Sequence, residues 1–314
     1  MDRATGGRLS RTARRRIFTY LNCNQCTLST QRDHLGTTHP MLLKANSHLE
    51  GGCFSRGSTC GVVSGGCQSL ALRHLEELRR GEPARLAAFH SLLKEYTGWF
   101  AANFGSTLCR ERCGCRFDTP GGIAGYALGG RFLRCVVHAG RAARFLAELE
   151  ERPLGEEDPG EAGSGGEVFH CSLGVLRRLR EATGAGDEDF DALYISMNGG
   201  VGLSGGLCGA AAAGMLPIGW HFGLDPEELG FRGNLAGFVR GHLDIIKGRE
   251  RRDLFSLGNR FIKGWLEEFG SLECRDLTGT RFTGLGDFSS YAKESPVCRR
   301  AVDFAVEKSL ELLS

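Results

Sequence analysis

Thirteen cysteines in a chain of 314 residues are the groups best able to do chemistry, and eight of them repeat. Cys23 and Cys60 stand 37 residues apart, as do Cys171 and Cys208, and the two pairs are offset by 148 positions. Cys109 and Cys135 find counterparts in Cys274 and Cys298, after 17 extra residues in the second copy. A thiolate binds zinc or iron and attacks disulfides, which a protonated thiol does poorly. Four cysteines held in place twice point to metal, cluster or thiol redox chemistry.

Glycines repeat with them. Gly51, Gly52 and Gly57 match Gly199, Gly200 and Gly205, and each second cysteine is followed by another glycine, Gly61 or Gly209. Glycine lets a backbone approach a buried object closely and adopt positive φ. A helix starting at such a cysteine offers unpaired N–H groups, which favour the thiolate and can bond to cluster sulfides. Gly57, Gly61, Gly205 and Gly209 are therefore candidate cofactor-binding positions. The first copy adds Cys26, Cys53, Cys67, Cys113 and Cys115. Cys26, Cys113 and Cys115 sit at ligand spacing from Cys23 and Cys109 and are further metal candidates. Cys53 and Cys67 read equally well as small buried hydrophobes.

The elements that must carry these residues read as helices. Apolar residues recur three or four apart at Leu86, Phe89, Leu92 and Leu93, ending at Gly105, and at Leu254, Leu257, Phe261 and Trp265, ending at Gly270. Alternating strand patterns are nearly absent. The expected class is all-α, two tandem bundles of about five helices related by a pseudo-twofold axis, a pseudo-dimer within one chain. Residues 1–16 read as a disordered basic leader, 17–151 as the first unit, 152–166 as a Pro/Gly/Glu linker and 167–314 as the second unit. The segment from Leu207 to Leu224 is too broken for a membrane span and reads as a buried helix that Pro217 ends early.

Gly200-Val201-Gly202-Leu203-Ser204-Gly205 spells a dinucleotide-binding fingerprint. Its first-copy counterpart has Phe54 at the middle glycine, and no βαβ context surrounds either, so nucleotide binding is set aside. Cys23-x2-Cys26 is followed by Thr27 where c-type haem attachment needs histidine. His170 and His221 read as structural. No catalytic residues follow from spacing, which favours a redox protein over a substrate-converting enzyme. A net charge of +2 calls for no nucleic-acid partner. With no signal peptide apparent, the chain reads as cytoplasmic, where cysteines mark metal or redox chemistry more often than disulfides.

On these residues the chain resembles the family of redox-active proteins named for a C-GCAxxG-C-C pattern, over nearly all of both halves. The resemblance carries the family's four cysteines onto Cys23, Cys60, Cys109 and Cys135, and onto Cys171, Cys208, Cys274 and Cys298. The related C-terminal part of split-Soret cytochromes is associated with an iron–sulfur centre, so the resemblance implies such a cluster and a redox partner protein. Two departures stand out: Val62 replaces the pattern's alanine, and the second core carries Ala213 before its next glycine, Gly214. Structural zinc and metal-free thiol–disulfide exchange, with Cys60 or Cys208 attacking, stay open as alternatives.

Overall fold

The structure, a computed structural model, describes residues 2–115, 119–157 and 168–314. In the first half lie α1 (Arg3–Tyr20), α2 (Cys23–Leu35), α3 (Leu42–Ala45), a 3-10 turn (Ser47–Leu49), α4 (Gly61–Arg73) and α5 (Leu75–Arg80). Then come α6 (Pro83–Phe104), α7 (Cys109–Cys113), α8 (Pro120–Leu128) and α9 (Arg131–Glu150). The second half runs α10 (Cys171–Thr183), α11 (Glu188–Ile195), α12 (Gly209–Phe222) and α13 (Pro226–Ile246), then α14 (Leu254–Phe269), α15 (Cys274–Thr278), α16 (Leu285–Glu294) and α17 (Pro296–Leu313). Among the described residues there is no strand, and the all-α class holds. No described helix is long and apolar enough to cross a membrane.

Gly105 (φ 89°) and Gly270 (φ 74°) end α6 and α14 as left-handed caps, as their positions predict. Three expectations need correction. Short helices and turns at the cysteines raise the helix number well above five per half. The leader is a helix, because Leu9, Ala13 and Ile17, four apart beneath its arginines, form a buried stripe packed on α9. Pro217 lies inside α12, which continues to Phe222. Burial of Met215, Leu216 and Ile218 around it outweighs the ~3 kcal/mol that an interior proline costs. Most of the expected linker, residues 158–166, lies outside the described residues.

A single apolar core runs through both halves. A twofold axis is the place where a residue can touch its own counterpart, and three hydrogen bonds join positions offset by 148. His39 meets Asp187 at 2.8 Å, the Tyr194 hydroxyl donates to Asn46 at 3.0 Å, and the Leu207 N–H donates to the Thr59 hydroxyl at 2.7 Å. Off the axis, contacts occur in reciprocal pairs. Phe54 lies against Gly258 and Gly202 against Leu93, where 54 corresponds to 202 and 93 to 258. The two repeats are thus packed as a dimer would be, related by a pseudo-twofold axis.

Candidate functional site

Each cysteine of the repeat sits at a helix start. Cys23 and Cys171 are the first residues of α2 and α10, and Cys60 and Cys208 are the N-caps of α4 and α12. Cys109 and Cys274 open α7 and α15. Paired backbone bonds tie the second cysteine to the third. The Cys60 N–H donates to Thr107 (2.8 Å) and the Cys109 N–H to Ser58 (2.7 Å), matched by Cys208 to Leu272 (2.8 Å) and Cys274 to Gly206 (2.6 Å). Cys298 lies in the first turn of α17, and Cys135 is the fifth residue of α9.

The glycines act by what they lack. A Cβ on Gly61 would lie 2.4 Å from the Cys23 sulfur, and one on Gly209 would lie 2.8 Å from the Cys171 sulfur. Without those side chains, the first cysteine packs directly on the helix that the second one caps. Gly57 (φ 80°) and Gly205 (φ 75°) instead abut the stems of Arg110 and Arg275, and so position the cysteine loop without lining the cavity described below.

The loops before them explain the apparent dinucleotide fingerprint. Residues 51–55 all have positive φ, including Cys53 (70°), Phe54 (43°) and Ser55 (58°); residues 199–203 repeat this with Val201 (63°) and Leu203 (57°). A left-handed turn costs roughly 1–2 kcal/mol for each non-glycine residue, most of all for a β-branched one. Its retention in both copies marks a constrained site. In the first copy the turn aims the Gly51 N–H at the Cys23 sulfur.

Cys23, Cys60, Cys109, Cys113 and Cys135 line a cavity of about 400 Å³. The neighbouring Cys60 side chain and the Gly51 and Gly61 N–H groups bring the Cys23 pKa below the ordinary thiol value. Cys60, beside Cys23 and buried, is pushed well up. Cys109 and Cys113 form a second such pair. The Cys109 thiol and the groups of Cys115 bring Cys113 down to about 6, while Cys109 rises. Burial lifts Cys135 to about 12 against the Tyr126 hydroxyl, which donates to its sulfur at 3.2 Å. Arg131 donates to Cys115 at 3.1 Å.

In the second half Cys171, Cys208, Cys274 and Cys298 are close enough for charge on one to raise the others. Burial leads in all four, and Cys208 stops at about 11 because the Ala211 and Ala210 N–H groups bond to it. Thr278 and Thr280 replace Cys113 and Cys115, and the Thr278 hydroxyl turns back to the Cys274 carbonyl (2.8 Å). Tyr291, the counterpart of Tyr126, donates to the Thr278 carbonyl at 2.9 Å.

Other expectations change. At the helix starts, the neighbouring Cys23 and burial push Cys60 up, and burial pushes Cys208 up, whereas Cys23 and Cys113 are shifted down. Cys26 does not line the cavity, because its thiol donates to the Ala13 carbonyl of α1 at 3.1 Å. Cys53 meets Met215 at 3.6 Å across the two halves, and Cys67 is fully buried beside Gly202. His170 bonds to Asn198 at 2.7 Å, and burial lowers its pKa to about 3. Sequence reasoning overlooked Tyr126 and the α13 side chains Leu235, Phe238 and Val239 that close the cavity. The tyrosine was findable, since Tyr126 and Tyr291 share the 165-residue offset of the downstream repeat.

Among the described residues, one set of three ligand atoms lies mutually within 4.8 Å: His39, Asp187 and Asp189, at the pseudo-twofold axis. Asp187 caps α11 and Asp189 pairs with Arg79, so these groups already have structural work. The cysteine sulfurs are set more widely. Tetrahedral zinc with Zn–S bonds of about 2.3 Å needs sulfurs roughly 3.8 Å apart, whereas several linked irons span more.

No curated protein and no solved structure matches the chain. A family model described as "Putative redox-active protein (C_GCAxxG_C_C)" matches residues 21–149 and again residues 169–312. Carrying that match in both halves, the chain belongs to the C_GCAxxG_C_C family.

Proposed function

We propose that this protein binds an iron–sulfur cluster through cysteine thiolates and serves electron transfer or redox sensing, with no substrate conversion of its own. One observation carries the reading. Four sequence-distant thiols meet at helix starts around a cavity of about 400 Å³, brought together by glycines that cannot be enlarged. The donor set fits, being sulfur-rich, largely buried and surrounded by backbone N–H groups. Cys23, Cys60, Cys109 and Cys135 would hold the group in the first half, and Cys171, Cys208, Cys274 and Cys298 in the second. A bound cluster supplies reversible one-electron chemistry. The protein's own part is to keep these thiols near one another, to exclude water with Phe132, Leu235 and Phe238, and to direct N–H and hydroxyl donors at sulfur.

A structural zinc site is a poorer fit to the wider sulfur spacing. Thiol–disulfide exchange keeps one supporting observation, the acidic Cys113 between Cys109 and Cys115. Anaerobic purification separates the three. Brown protein with acid-labile sulfide and visible absorption that dithionite bleaches supports the cluster. Colourless protein with stoichiometric zinc, or with neither metal nor sulfide but titratable disulfides, overturns it.

A further inference from the structure

Large apolar side chains are seldom left exposed together, and a patch of them marks a surface that meets something. Here every exposed large hydrophobic among the described residues lies on α1, α8, α9 or α13. These are also the helices that supply Ile17, Tyr126, Phe132 and Leu235 to the wall of the first-half cysteine cavity. Along α13, Phe231, Leu235, Val239 and Leu243 follow four apart, each 42–52 % exposed, and Leu128 on α8 is 88 % exposed. Leu235 and Val239 reach both the cavity and solvent, so the wall there is one side chain thick.

The charge around this patch is predominantly positive. α1 carries six arginines (residues 3, 8, 11, 14, 15 and 16) and no acid. Helices α8 and α9 hold four arginines against two acids, Glu148, which pairs with Arg144, and the buried Glu150. On α13, Asp244 is buried and tied to Arg249 and Arg251, Glu227 is tied to Arg32 and Arg240 to Asp253, leaving Glu228 at the start of the helix against Arg232 and the neighbouring Lys247. The chain as a whole is nearly neutral, so this face is a local concentration of positive charge. Its opposite number is an acidic surface with an apolar centre.

We infer that this face docks an acidic one-electron carrier protein, which exchanges electrons with the first-half centre through the thin wall at Leu235 and Val239. The inference rests on the cluster reading for its purpose, but the docking itself does not require a cluster. Redox encounters are small and steered by charge, which suits an apolar patch of a few side chains inside a basic rim. The electron balance is simple: the reduced carrier loses one electron and the first-half centre gains it, with no bond made or broken.

The test is binding of the full chain to an acidic plant-type ferredoxin, followed by calorimetry across ionic strength, with basic cytochrome c as the control. Iron and labile sulfide are measured on the same samples. Saturable 1:1 binding of ferredoxin is expected, weakened at least tenfold between 20 and about 200 mM salt and at least tenfold by Phe231→Glu or Leu243→Glu, two residues outside the cysteine cavity. Arg232→Glu with Lys247→Glu acts in the same direction, while cytochrome c does not bind. Unchanged helicity and unchanged iron in the variants show that the fold and the cysteine site are intact. The inference is overturned by ferredoxin binding that ignores salt and these substitutions, by no binding, by self-association through the same residues, or by tighter binding to phosphatidylserine vesicles or RNA. Absence of iron and labile sulfide from the anaerobically purified protein would instead sink the cluster reading, and salt-dependent binding by that same protein would leave the docking surface standing.

Discussion

The two halves place the same four cysteines on the same helix starts, yet they surround them differently. In the first half, Cys113 and the Tyr126 hydroxyl join the set, Cys115 stands behind with its thiol on the Cys113 carbonyl, and α13, which belongs to the second half, helps close the cavity. In the second half, threonines replace the two extra cysteines and Tyr291 bonds to a carbonyl. Acidic thiols occur in the first half and burial raises all four thiols in the second. The difference teaches that duplication preserved the scaffold of the site while the groups around the sulfurs diverged, and a hydroxyl that bonds to sulfur in one half alone predicts unlike potentials for clusters bound in the two.

The largest effect expected from this contrast is loss of one centre at a time. Cys60→Ala should remove the iron of the first half and Cys208→Ala that of the second, each leaving the other half's absorption in place. Loss of all iron from either variant would show a single shared site. Next comes Glu150, whose carboxylate is buried beside Ser69 and Arg73 at the end of α9, where the second half has Leu313. Burial raises its pKa to about 8. The unfolded chain releases this proton near pH 4.5, so stability is full below that value and falls by roughly 1.4 kcal/mol per pH unit until the folded group ionises near pH 8. Glu150→Gln should abolish that slope in urea unfolding measured from pH 5 to about 8. An unchanged slope would place the titration elsewhere.

Gly61→Ala and Gly209→Ala probe the shared scaffold. Each should lower stability by about 1–3 kcal/mol and reduce iron content in its own half. The first is expected to be worse, because its Cβ would lie 2.4 Å from the Cys23 sulfur against 2.8 Å from the Cys171 sulfur for the second. Thr59→Val tests the axis by leaving the buried Leu207 N–H unpaired, an expected loss of about 1–3 kcal/mol in the same unfolding assay. The smallest effect is the most local. Tyr126→Phe removes a hydrogen bond to the Cys135 sulfur and should lower the potential of the first-half centre, while Tyr291→Phe leaves the second unchanged.

The helical class and the duplication were legible because both rest on local periodicity and on exact offsets. The eight shared cysteines could be grouped by spacing, and Cys23, Cys60, Cys109 and Cys135 line one cavity. Long-range features stayed hidden. Nothing local in Gly51-Gly52-Cys53-Phe54-Ser55 announces a left-handed turn, since three of its residues disfavour one; tertiary packing imposes it. The leader looked disordered because its arginines mask Leu9, Ala13 and Ile17, whose partner surface is α9, more than a hundred residues away. Cys26 looked like a ligand because its spacing from Cys23 is right, but the helix turns it toward α1.

X-ray absorption at the iron and zinc edges of anaerobically purified protein tests the main claim at the metal itself. Sulfur in the first shell of iron, with iron–iron scattering beyond it, is the expected result. A zinc–sulfur shell near ~2.3 Å with no iron would contradict the account.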